Sequence, residues 1–114
     1  MREIKFRAWL PEYKKMVFLY SWNLWQEYFM CSEYDSEFYV RENIIMQYTG
    51  IEDLKGKEIY EGDILSNDEE CYKVVFENGS YRAEIEEYSL DLIDVAHCCE
   101  IVGNIYENPE LLGD

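Results

Sequence analysis

The chain predicts a mainly β fold: a small bent sheet or SH3-like barrel, with an N-terminal hairpin and an added layer of short helix or loop. Three observations predict it. Residues Cys71 to Glu87 alternate apolar and polar about a central Asn78-Gly79, the pattern of half-buried strands joined by a tight turn. Aromatic residues make up 17% of the chain and include eleven Tyr, side chains that fit a pleated surface. Short strand-like runs are separated by Gly-bearing turns, and Gly62-Asp63 reads as the corner that launches the strand at Ile64, by analogy with barrels whose strands start at such a corner. At 114 residues the chain reads as one domain, 1–114, able to bury a core without disulfides or metals.

Taken in order, Glu3 to Trp9 alternates, with Ile4, Phe6 and Ala8 on one side and Lys5 and Arg7 on the other, the period of a half-buried strand. Leu10 to Lys14 contains Pro11 and reads as a connection to a second strand, Lys15 to Ser21, which pairs with the first. Trp22, Trp25 and Phe29, with Leu24 and Tyr28, recur near helical spacing. Trp22 to Asp35 therefore reads equally as a short amphipathic helix or an aromatic-rich loop. Such residues ordinarily pack a core, whereas an exposed set would mark a partner surface. Glu37 to Val40 suggests a short strand.

Ile44 to Tyr48 is a further strand, ended by the turn signal Thr49-Gly50. In the polar loop Glu52 to Lys57, Gly56 suits the tightest point, because glycine takes positive φ at little steric cost. Ile59, Ile64 and Leu65 are the inward anchors about the Gly62-Asp63 bend. In the following hairpin Tyr72, Val74 and Phe76 face one way, continued by Tyr81, Ala83 and Ile85. Tyr88 to Ala96 reads as a turn or two of helix or an irregular crossing. Cys98 to Tyr106 is the last strand, and its internal Gly103 marks a bulge or a close backbone approach. Asn108-Pro109 starts a short helical turn docked by Leu111 and Leu112.

Ten basic residues against twenty-five acidic give a formal charge of −15. The first fifteen residues carry a local +3 from Arg2, Lys5, Arg7, Lys14 and Lys15, which leaves −18 for the rest. From Ala83 onward there is no Lys or Arg and there are nine carboxylates. Such density repels nucleic acid and anionic membranes. It serves solubility first, and otherwise suits a basic partner or an imitation of DNA. Cys31, Cys71, Cys98 and Cys99 have no zinc-binding spacing and read as reduced thiols of a cytosolic protein. No window approaches the roughly 18 apolar residues of a membrane span, and the apolar run Met16 to Tyr20 is broken too early for a signal peptide.

The motifs of chemistry fail one by one. Gly50 to Lys57 nears a phosphate-binding loop, but five residues separate its glycines and Glu58 stands where the magnesium-binding hydroxyl belongs. His97 is the only histidine and reads as a partly buried structural residue. Asn67 to Glu70 lacks the glycine and distant glutamate of a calcium loop. Glu61 and Asp63 could pair as carboxylates, although their setting suits turn hydrogen bonds better. No catalytic, cofactor or metal residue is assigned, and the chain is expected not to be an enzyme.

Three stretches carry a resemblance: Arg2 to Trp9, then Met46-Gln47-Tyr48-Thr49-Gly50 with Gly56-Lys57-Glu58-Ile59-Tyr60-Glu61-Gly62-Asp63-Ile64, and Ile101 to Leu112. Together they resemble the YopX family of small prophage-encoded proteins over nearly the full length; Leu10 to Asn43 and Ser89 to His97 depart from it. The resemblance implies a phage or prophage setting in the bacterial cytoplasm and supplies no mechanism. The expected function is a non-enzymatic module that binds a host or phage protein, a basic one by charge. Its expected partner surface is Tyr48, Tyr60, Glu61, Asp63, Glu84 and Glu86. The alternatives are an acidic decoy for a DNA-binding protein, or a metal-dependent hydrolase or nuclease accessory using Glu61 and Asp63. Nucleic acid and membrane are not expected partners. Weak, salt-sensitive self-association is expected through an outward basic stripe of Lys5, Arg7 and Lys15.

Overall fold

The computed structural model describes residues 4–23, 27–31 and 33–113. They form two compact units, Glu3–Gln47 and, from Tyr48 on, Tyr48–Asp114. The first unit holds β1 (Phe6–Leu10), β2 (Lys15–Asn23), β3 (Tyr28–Cys31), β4 (Tyr34–Tyr39) and the opening residues of β5 (Ile44–Glu52). All pair antiparallel in the order β4-β3-β2-β1-β5. The β1–β2 hairpin is the one the sequence predicts, with Arg7 opposite Phe18 and Leu10 opposite Lys15. Its core is Ala8, Leu10, Val17, Phe29, Cys31 and Phe38.

Two expectations for this unit are corrected. Trp22 to Asp35 is neither helix nor loop in its described part: β2 runs on through Trp22, and β3 and β4 follow. Phe29 lies in register with Phe38, their rings stacked at 5.7 Å, so cross-strand pairing uses the aromatics that near-helical spacing seemed to gather on one helix face. Leu24 and Trp25, like Arg2 and Glu3, lie outside the described residues. The other correction concerns β1. Ile4 is 72% exposed while Arg7 is only 6% exposed. β1 lies between β2 and β5, and Arg7 is flanked in register by Phe18 and Met46, so its long side chain is covered. The outward stripe therefore loses Arg7, the one charged residue of β1.

In the second unit β5 continues and pairs with β6 (Glu58–Tyr60). A five-stranded antiparallel sheet follows, with order β10-β9-β8-β7-β11. Its strands are β7 (Asp63–Ser66), β8 (Cys71–Glu77), β9 (Ser80–Ile85), β10 (Tyr88–Asp91) and β11 (Glu100–Asn104). A single turn of helix, α1 (Leu92–Val95), joins β10 to β11 through a 3-10 turn at Ala96–Cys98. The core is Ile59, Leu65, Tyr72, Val74, Ala83, Leu92, Ala96 and Cys99. Ile59, Ile64 and Leu65 are fully buried, as expected of anchors.

The turns follow the sequence closely. Asn78 and Gly79 have φ of 51° and 83°, the two positive values a type I′ hairpin turn needs. The flanking strands pair in register from Glu77–Ser80 to Lys73–Glu84. Phe76 departs from its predicted face and is 54% exposed, because it sits at the hairpin tip, opposite Tyr81. β11 shifts register between Ile101 and Gly103, the expected bulge. There a Cβ on Gly103 would lie 2.4 Å from Asn108 Oδ1, so the close approach is real. The Pro109–Leu112 turn forms, but Leu111 and Leu112 are 36% and 39% exposed and do not dock as anchors.

The expected SH3-like barrel is corrected to two antiparallel sheets: among the described residues neither sheet closes. The five-stranded sheet has side chains on its edges instead. On β11 the Ile101 N–H donates to Asp53 Oδ2 at 2.9 Å, and just before the strand the Cys99 carbonyl accepts from Leu54 N–H. On β10 the Arg82 guanidinium crosses from β9, donating to Ser89 Oγ and to the Ser89 carbonyl, each at 3.1 Å, and to Asp91 Oδ1. Edges occupied in this way do not offer a ladder for closure.

Candidate functional site

The site begins with a bulge. Tyr48 pairs with Tyr60 and Glu52 with Glu58, so three residues of β5, Thr49 to Ile51, oppose Ile59 alone. Gly50, at φ 86°, takes the left-handed conformation this requires. The buried Thr49 hydroxyl replaces missing ladder bonds: its Oγ1 donates to the Ile59 carbonyl at 2.8 Å and accepts from Ile51 N–H at 3.1 Å. The strand therefore passes through Thr49-Gly50, where the sequence suggested it would stop.

The bulge forms one side of an open cleft of about 520 Å³. Thr49, Gly50 and Ile51 line it with the hairpin tip Phe76, Gly79, Ser80 and Tyr81, and with Asp91, Leu92 and Ile93 at the start of α1. Leu92 is fully buried, while Phe76 and Ile93 stand out of it at 54% and 65% exposure. Phe76 and Tyr81 meet edge to face at 4.9 Å, a contact that holds both rings. Among the described residues Asp91 is the one charged lining residue, and Arg82 binds it.

Two buried carboxylates of the same unit are engaged by backbone. Asp53 Oδ1 accepts from Lys55 and Lys57 N–H at 2.9 and 2.8 Å, while Oδ2 holds Ile101 N–H. Burial opposes ionisation of Asp53, but the three amides and the Lys57 charge outweigh it and hold its pKa below the ordinary value. Asp63 Oδ2 accepts from Tyr60 N–H at 2.8 Å across the Gly62 bend. Gly62 in turn donates to the Val74 carbonyl and accepts from Ile105 N–H, each at 2.9 Å.

The expected partner surface is dispersed. Tyr48, Tyr60 and Asp63 are buried at 5%, 4% and 3% exposure, so they hold the bulge and the corner and offer no outer face. Glu61 is half-buried at that corner. Glu84 pairs with Lys73 at 3.3 Å and shares a small cleft of about 220 Å³ with the exposed Glu86. His97 is exposed on its 3-10 turn, which corrects the partly buried reading. Cys98 is exposed and Cys99 buried, and burial first, then the neighbouring Cys98, pushes the Cys99 thiol up to about 11. Burial, and then its hydrogen bond to Glu70, raises Tyr72 to about 12. Among the described residues no three His, Cys, Asp or Glu side chains gather to hold a metal, and no helix is long and apolar enough to cross a membrane.

Sequence reasoning missed Phe76 and Ile93 as exposed, and missed the cleft. The signal for Ile93 was its place in a short segment between Asp91 and Asp94.

The family model described as YopX protein matches residues 5–113. The crystal structure of protein EF1440 from Enterococcus faecalis is 24% identical, with a TM-score of 0.72 over 98% of this chain and 99% of that one, a likeness of fold. No curated protein matches.

Proposed function

This chain belongs to the YopX family, and on that premise we propose that it is a non-enzymatic protein-binding module of phage or prophage origin. It acts in the bacterial cytoplasm, and the cleft lined by the hairpin tip, the β5 bulge and the start of α1 receives its partner. The observation that carries this reading is the cleft itself. Exposed Phe76 and Ile93 flank a concavity with a buried leucine in it, the form of a pocket that takes an anchor side chain. The non-enzymatic reading is supported by how the carboxylates are used. Asp53 and Asp63 accept backbone amides, Glu84 pairs with Lys73, and Asp91 pairs with Arg82.

Selection of short random displayed peptides tests the reading. Clones enriched on the wild-type protein are expected to lose binding to the Phe76→Ser/Ile93→Ser double variant. Both residues are exposed, so the variant's thermal midpoint is expected to stay near that of wild type. Enriched clones that bind both proteins equally, or no enrichment at all, would contradict it.

A further inference from the structure

We infer that Asn78 is a site of spontaneous covalent modification: the Gly79 nitrogen displaces its side-chain amide, at a rate set by opening of the hairpin tip, and the product rebuilds the rim of the cleft. The inference is independent of what the cleft receives.

The chemistry needs only these two neighbours and water. The Gly79 amide nitrogen gives up its proton and bonds to Asn78 Cγ, closing a cyclic imide. The Cγ–Nδ2 bond breaks, and that nitrogen takes up a proton and leaves as ammonia. Water then opens the imide. Cleavage at Cγ returns the ordinary backbone with an aspartate at this position. Cleavage at the main-chain carbonyl sends the chain through Cβ and Cγ, an isoaspartyl link with an extra backbone carbon. Nothing is oxidised or reduced.

The sequence and the tip both favour this position. A side chain on the attacking residue would crowd its nitrogen, and glycine has none. Asn23, Asn43, Asn67 and Asn104 precede Leu, Ile, Asp and Ile, and Asn108 precedes proline, which has no N–H. Residues Glu77 to Ser80 are exposed, so water and base reach the tip. The ladder closes at Glu77–Ser80, which leaves the Gly79 N–H outside it. Among the described residues no hydrogen bond holds the Asn78 side chain.

The turn sets the pace. The φ values of 51° and 83° are those of a type I′ turn, whose first central ψ is about 30°. At that angle the Gly79 nitrogen stands across the Cα–C bond from Cβ and cannot reach Cγ. Attack needs the nitrogen swung round beside Cβ, so the tip must open. Phe76 and Tyr81, edge to face at 4.9 Å, hold it closed until such a local opening occurs. A type I′ tip spans two central residues of ordinary backbone. The extra carbon of the isoaspartyl link breaks that fit, and Gly79 and Ser80, which line the cleft, move with it.

The test incubates the purified chain at mildly alkaline pH, folded and in denaturant. Peptide mapping then separates the asparaginyl, aspartyl and isoaspartyl forms. Asn78 is expected to convert in the folded chain ahead of the other asparagines, mainly to the isoaspartyl form, and about tenfold or more faster in denaturant. The isolated isoaspartyl chain is expected to melt below the Asn78→Asp variant, which carries the same charge on an ordinary backbone and keeps an Asp-Gly turn. A folded chain that keeps Asn78 while the denatured chain converts overturns the site. Equal rates in the folded and denatured chains overturn control by the turn, and equal thermal midpoints overturn the rebuilding of the rim.

Discussion

Asp53 shows how much one side chain organises here. Its two oxygens take three backbone amides, two from its own loop and one from Ile101, 48 residues away. Asp53→Asn keeps the size but removes the charge and sets an amide group against these donors. The expected loss is about 3 kcal/mol, read as a shift in the denaturant midpoint. The pH dependence has a definite sign. A carboxylate with a depressed folded pKa contributes stability that is complete above its unfolded value, about 4, and is lost as pH falls through the lower folded value. Wild type should therefore lose stability in that acid window, and Asp53→Asn should lose less across it. Cys99 and Tyr72 act at the other end. Both are raised, to about 11 and about 12, so their contributions are complete below the ordinary thiol and phenol values and decline as pH rises towards those figures. Asp53 was not legible in the sequence, where it stood in a polar loop; its longest contact depends on a strand far along the chain.

The elements divide into those set by local chemistry and those set by distant packing. The Asn78-Gly79 turn was legible because a φ requirement belongs to the residues that carry it. A Cβ at Gly79 meets nothing within 4 Å, so Gly79→Val isolates the backbone penalty, expected at about 1–3 kcal/mol. An unfolding midpoint equal to wild type would refute the turn assignment. Gly56 and Gly62, at φ 83° and 87°, were legible for the same reason. β3 and β10 were not, and β4 was legible only in its later half, from Glu37 to Tyr39. Their aromatic and acidic residues give no clean alternation, and Phe29 finds Phe38 only after two strands have paired. Gly50 misled for a physical reason as well: a positive φ marks a turn or a bulge, and the Thr49 hydroxyl decides for the bulge. The candidate site inherits this limit. Tyr48, Tyr60 and Asp63 were singled out from the most recognisable stretch, and they are buried because that stretch builds the fold.

At the scale of the molecule, two units each carry a core, and the five-stranded sheet ends in an Asp53 clasp on one edge and an Arg82 clasp on the other. An acidic chain of net −15 whose Arg7 is buried offers little to a phosphate backbone. No duplex or single-strand binding is expected at physiological ionic strength, and tight, salt-resistant binding in an anisotropy titration would refute that. The central claim is that the cleft receives a protein partner, and the most direct measurement is a nitrogen-15 NMR titration with a peptide selected on the wild-type protein. The account predicts amide shifts centred on Ile51, Phe76, Tyr81, Leu92 and Ile93. Shifts confined to the Glu3–Gln47 unit, or centred on the Glu61 corner, would contradict it.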